Sequence, residues 1–201
     1  MKKILFTATL LISSTLLFSQ TKFGLKAGVN FANQQVSTQG ISASFSSLTS
    51  FHFMGLVDYS ISPAFSIQPG LGISGKGFKF DVEDVTGKIN LMYLDIPINA
   101  VAKFPIKSLG KFFIGAGPYA AIGISGKGTA DGEEDSDDLF SEEGGYKRGD
   151  FGMNFLGGLE FKNGITFNAN YGLGLSNVAV NNEEDLSIKN KVFSISLGFL
   201  F

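Results

Sequence analysis

Residues 191–201 read K-V-F-S-I-S-L-G-F-L-F. Phe193, Ile195, Leu197, Phe199 and Phe201 recur at a period of two, with Ser194, Ser196 and Gly198 between them, and only Leu200 breaks the rule. Successive side chains of a strand point to opposite faces, so the stretch predicts a strand with one apolar side and one small, polar side. A soluble sheet would bury the apolar side in a core and would rarely end its chain on an exposed Phe. A transmembrane barrel does the reverse, turning apolar groups to lipid and small or polar ones to the lumen.

The same alternation recurs upstream in seven further segments: residues 22–31, 51–61, 64–76, 91–104, 112–125, 151–162 and 165–176. In the first, Phe23, Leu25, Ala27, Val29 and Phe31 oppose Gly24, Lys26, Gly28 and Asn30; in the fourth, Met92, Leu94, Ile96 and Ile98 oppose Tyr93, Asp95 and Asn99. Each segment has the roughly 10 residues that a tilted strand needs to cross a bilayer. Backbone groups in lipid must all be paired, which only a helix or a closed barrel achieves. The pattern therefore predicts an all-β fold, an eight-stranded antiparallel up-and-down transmembrane barrel over residues 20–201.

The connections alternate in length. Short ones at 62–63, 105–110 and 163–164 carry Pro or Gly, as tight turns do. Long ones cover 32–50, 77–90, 126–150 and 177–190. Outer-membrane barrels have short periplasmic turns and longer extracellular loops, which predicts an outer-membrane location with both termini periplasmic. Lys2 and Lys3 followed by the apolar run 4–18 read as a secretory signal peptide over residues 1–19. That run, about 15 residues, falls short of the roughly 20 of a spanning helix. With no Cys, disulfides and a lipid-modified N-terminus are excluded. Loss of Lys2 and Lys3 with the leader takes the formal net charge from −2 to −4, and nothing in it points to nucleic acid. The 26 Gly suit a narrow lumen that needs small inward groups, and the 21 Phe suit an outer wall against lipid.

Three stretches carry a resemblance: F-G-L-K-A-G-V-N-F at 23–31, Y-L-D-I-P-I at 93–98 and I-G-A-G-P-Y at 114–119. They resemble the PorT-like outer-membrane β-barrel family of Gram-negative bacteria, as the C-terminal aromatic resembles the signal by which such barrels are recognised for insertion. The resemblance implies the fold and the location. The family's namesake is linked to protein secretion across the outer membrane, which implies a secretion accessory as an alternative role. It supplies no catalytic residues to carry over.

Few stretches suggest chemistry. G-L-G-I-S-G-K-G at 70–77 approaches a phosphate-binding loop, but Gly77 stands where the hydroxyl belongs and no helix is predicted after it. The hexapeptide G-I-S-G-K-G occurs twice, at 72–77 and 123–128, which predicts Lys76 and Lys127 at equal heights on the extracellular rim; similar strand-exit chemistry, with Gly easing the bend, is preferred there to a pair of cations near lipopolysaccharide phosphates. The acidic run 131–143 reads as a solvated loop; its calcium-loop offsets lack the turn-forming Gly. His52, the only His, is predicted inward without a catalytic partner, and no metal-ligand cluster appears. No cofactor and no enzymatic activity are expected; a lipid-modifying hydrolase would need a His–Ser–carboxylate cluster facing lipid. The inward charges Lys26, Asp58, Asp95, Lys103 and Glu160 predict a structural polar network, with Lys26 and Asp58 at one depth and paired. An eight-stranded interior is about filled by its side chains, so no open porin channel is expected. The function expected is structural or surface-interacting, as a monomer, through outer-membrane lipid and a protein partner at the long loops.

Overall fold

The computed structural model describes residues 20–38, 41–82, 85–130, 133–134, 138–141, 145–180 and 186–201. The strands are β1 (Thr21–Thr38), β2 (Ile41–Ser44), β3 (Leu48–Ser62), β4 (Phe65–Val82), β5 (Val85–Ile106), β6 (Gly110–Ala130), β7 (Glu133–Glu134), β8 (Gly149–Phe161), β9 (Ile165–Gly174) and β10 (Ser187–Leu200). Eight of them form the wall, each antiparallel to the next, and β1 pairs β10 from Gly24↔Leu200 to Ser37↔Ser187 to close the ring. The short β2 and β7 hang on β1 and β6. The alternation thus gives the architecture it predicted. The proposed signal peptide lies outside the described residues.

The wall is apolar outside and polar inside. Leu197 is 64% exposed and Phe151 57%, whereas Asp58 and Asn30 are fully buried. Outward rings pair across strands, Phe31 with Phe193 at 6.2 Å and Phe104 with Phe112 at 6.4 Å between centroids, as cross-strand aromatic pairs do. One end carries both ends of the ring and the short turns at 63–64, 107–109 and 162–164; we call it the turn end. Gly164 sits there at φ 88°, where an L side chain would be strained.

At the opposite, loop end the wall is uneven. The connection expected over 77–90 is almost all strand, because F-K-F-D-V and V-T-G-K-I-N prolong the alternation; β4, β5 and β6 reach 18, 22 and 21 residues. β8 starts at Gly149 opposite Ile122, so the remainder of β6 stands above it as part of a raised wall.

Two irregularities matter. A bulge in β6 lets Met92 pair Ser125 while Tyr93 pairs Gly123, with Ile124 as the extra residue. The other is a row of prolines. The β3–β4, β4–β5 and β5–β6 ladders each skip two pairs. Continuing the registers would set Pro69 opposite Val57, Pro97 opposite Gly70 and Pro118 opposite Ile98. Proline has no N–H to give a ladder and is normally kept to edges and bulges. The Pro69↔Ile98 pair holds these breaks side by side, and the ring's other five contacts run unbroken.

Candidate functional site in the sealed lumen

The inward side chains form layers. At the turn end, Lys103 of β5 lies between Asp58 of β3 and Glu160 of β8, pairing with both, the Glu160 Oε2 contact being 3.0 Å. Lys22 of β1 takes the other Glu160 oxygen at 2.7 Å. All but the half-exposed Lys22 are buried. Val101, Phe113 and Leu156 make a small apolar cluster beside them.

The middle layer is neutral and hydrogen-bonded. Asn30 donates to Ser74 Oγ at 3.0 Å and to the Gly75 carbonyl at 2.9 Å. Its Oδ1 accepts from Ser194 at 2.8 Å and faces His52 Nδ1 at 2.7 Å. A carboxamide oxygen only accepts, so Nδ1 carries the imidazole proton. His52 Nε2 lies 3.0 Å from Ser196 Oγ, which itself lies 2.9 Å from Asn168 Oδ1. The string Ser196–His52–Asn30 has nucleophile–base–orienter spacing. It is buried in the lumen rather than facing lipid, and the serine's single proton is shared between His52 and Asn168. The cavity beside it holds only about 50 Å³.

Towards the loop end Lys76 is caged. Its ammonium is 3.1 Å from Asp95 and 3.0 Å from Asp150, and it sits over the rings of Tyr93 and Tyr119 at 4.7 and 4.4 Å. Asp150 also accepts from Asn190 at 3.0 Å, Ser176 at 2.8 Å and Tyr119 at 3.3 Å. Above the cage Phe140 packs edge-on to Tyr93, 5.4 Å between centroids, within a buried cluster of Leu91, Tyr119 and Ala121. A Cβ on Gly123 would collide with the Phe140 ring, so the bare glycine is what admits this lid. Tyr146 donates to Gln34 at 3.0 Å, which ties the 145–148 segment to β1.

Asp138 latches the lid. Its Oδ1 accepts from the amides of Gly126 at 2.8 Å and Phe140 at 3.3 Å, and Oδ2 takes Arg148 at 3.2 Å. Partial burial alone would raise this carboxyl's pKa; the two amides and the guanidinium outweigh it and hold it below the ordinary value. A group lowered in the folded state stabilises above its unfolded pKa, about 3.9, and that contribution fades as pH falls through the lowered value. The Gly126 and Phe140 amide resonances should therefore hold steady down to about pH 4 and shift below it. In Asp138→Asn the acid transition should vanish. An unchanged transition in that variant would remove Asp138 from the latch.

The structure revises two sequence expectations. Lys26 does not meet Asp58: β1 residue Lys22 pairs Asp58, and Lys26 pairs Met54 higher up, because β3 runs on below the start of β1. Lys103, not Lys26, is the partner of Asp58, and Lys103 also gathers Glu160. Lys76 is not on the rim; it is 3% exposed and salt-bridged to Asp95. Lys127 is exposed on the outer wall. The bulge separates the two hexapeptides: Lys76 pairs the inward Leu91, whereas Lys127 pairs the outward Asn90. At 70–77 strand β4 simply continues, so no phosphate-binding loop forms. Of the acidic run, 131–132, 135–137 and 142–143 lie outside the described residues. Asp150 was missed, although Phe151 points outward and alternation carried up by one residue turns Asp150 inward.

An eight-stranded ring with ion pairs inside and hydrocarbon side chains outside is a transmembrane β-barrel. The chain belongs to the outer membrane protein beta-barrel domain family, whose model matches residues 18–180, and its place is the outer membrane. Among solved structures it is similar to Ail, the attachment invasion locus protein of Yersinia pestis, at 15% identity and TM-score 0.46, with 90% of this chain and 99% of that one covered. It is similar also to the Neisserial surface protein A, at 13% identity and TM-score 0.48, with 89% and 97% covered. A comparison with curated proteins finds no match.

Proposed function

We propose that the chain is a PorT-like barrel that serves as a closed, monomeric scaffold in the outer membrane, with both termini periplasmic and its raised wall presented at the cell surface. The observation that carries this reading is the filled lumen. The Lys103 layer occupies one end, the Lys76 cage and Phe140 lid the other, and between them lies a cavity of about 50 Å³. The Y-L-D-I-P segment, on which the PorT-like resemblance rests, also supplies Tyr93 and Asp95 to the cage. The short turns and the long loops at opposite ends support the orientation. On the raised wall, Lys88 and Lys127 line an outward polar groove with Asn90 and Thr129, the side that would meet lipopolysaccharide phosphates or a protein partner.

In planar bilayers the purified barrel should show no steady steps of porin size; steady steps would refute the closed reading. Protease added to intact cells should cut within 126–150, and cleavage confined to the 62–63 or 105–110 turns would reverse the orientation.

A further inference from the structure

Charge is unevenly divided between the two ends of the barrel. Apart from Asp58 and Glu160, every Asp and Glu falls within 81–95, 131–150 or 183–185, stretches that form no part of the turn end. Asp58 and Glu160 do lie near that end, but both are buried and matched by Lys103 and Lys22. Two cations offset two carboxylates in that layer.

Three further lysines stand at the turn end outside this balance. Gly110 pairs Ile106 on one side and Phe161 on the other. Lys107, Lys111 and Lys162 each follow directly on one of these three residues. Three neighbouring strands span about 10 Å, so the three side chains spring from one short stretch of rim. Gly110 permits the crowding: its φ is 143°, and a Cβ there would collide with the Glu160 carbonyl. Lys107 and Lys162 are exposed and Lys111 is half-buried. Among the described residues none of the three makes an ion pair or a side-chain hydrogen bond; Glu160, opposite Lys111 in the ladder, is held by Lys22 and Lys103. Lys107 has φ 20°, the one positive value of a non-glycine described. Glycine or asparagine holds such a backbone at lower cost, so the turn does not call for lysine on conformational grounds.

The same stretch is apolar on its membrane side. Phe104 and Phe112 face outward in the row just above Lys111, and Ile106 and Leu109 are exposed in the turn itself. The cations therefore border the hydrocarbon belt, the level at which lysines reach for lipid phosphates.

We propose that Lys107, Lys111 and Lys162 form a headgroup site for anionic phospholipid. The phosphate rests among the three ammonium groups and the acyl chains lie along Phe104 and Phe112. A zwitterionic lipid brings no net charge to offset three cations. A soluble acidic protein would reach this level only after the lipid does. The site needs only the spanning fold. In the orientation proposed above it faces the periplasmic leaflet, but the test is made in detergent, where it can fail while that orientation stands.

The full barrel, folded in non-ionic detergent, is offered equal amounts of dioleoyl phosphatidylglycerol and dioleoyl phosphatidylcholine, and bound lipid is read by native mass spectrometry. The anionic lipid should be retained preferentially. Lys107→Gln, Lys111→Gln and Lys162→Gln should each lower the preference about fivefold, as loss of one lysine at an anionic surface does. Lys88→Gln with Lys127→Gln, at the loop end, should leave it unchanged. No preference in the parent, a preference kept in the triple variant, or an equal loss in the loop-end pair would each overturn the proposal. Glycerol phosphate, which lacks acyl chains, and polyglutamate should compete poorly; either one displacing the lipid efficiently would overturn a lipid site. The unmutated chain gives a second reading. Phosphatidylglycerol titrated into phosphatidylcholine bicelles should shift the amide resonances of residues 107–111 and 162, and shifts spread evenly over both ends would overturn it.

Discussion

Lys76→Met should destabilise the barrel more than any other single exchange in the lumen, by roughly 3–5 kcal/mol. Met keeps the length of the side chain, so the loss reports the charge rather than a cavity. Removing the ammonium leaves Asp95 and Asp150 facing each other without the cation that bridges them, under the Phe140 lid. The two tyrosine rings lose the cation they flank as well. Denaturant unfolding in micelles, followed by tyrosine fluorescence, measures the effect. Adding Asp150→Asn to Lys76→Met should recover a large part of it. A loss under about 1 kcal/mol would mean that water already screens the cage and that its ion pairs behave as exposed ones do.

Lys103→Met at the turn end should cost about 3 kcal/mol, towards the lower end of the same range, because its partners are unequally stranded. Lys22 still reaches Glu160 at 2.7 Å, so that carboxylate keeps a cation. Asp58, fully buried, keeps none. Lys103→Met with Asp58→Asn should therefore approach the parent in stability, whereas Lys22→Ala alone should cost under about 1 kcal/mol, as half-exposed pairs do. Failure of the double exchange to recover stability would show that Lys103 acts through packing against Phe113 and not through Asp58.

Facing is a local property and was legible: alternation alone turns His52, Asp95, Lys103 and Glu160 inward. Depth is not local. Strands in a barrel are staggered, and counting residues from the end of each strand placed Lys26 level with Asp58, where the ladder places Lys22. Pairing across a barrel depends on that stagger, which no single segment encodes. The cage was half legible. Tyr93 and Asp95 lie in a clean alternating run, whereas Asp150 follows an acidic stretch that reads as loop. The Phe140 lid left no trace in periodicity, because its place depends on how a long connection folds back onto Gly123.

The β6 bulge reverses a parity. Below it the inward residues of β6 carry odd numbers, Phe113 through Gly123; above it they carry even ones, Gly126 and Gly128. Two copies of G-I-S-G-K-G consequently send their lysines to opposite sides of one wall. In a gene for such a barrel a single-codon insertion or deletion is a sorting event: it leaves the composition almost intact and exchanges what lies beyond it between the packed interior and the exterior. Codon-level length change within these strands therefore alters the chemistry of both surfaces more than most substitutions do, and a repeated peptide in a barrel is no guide to repeated function.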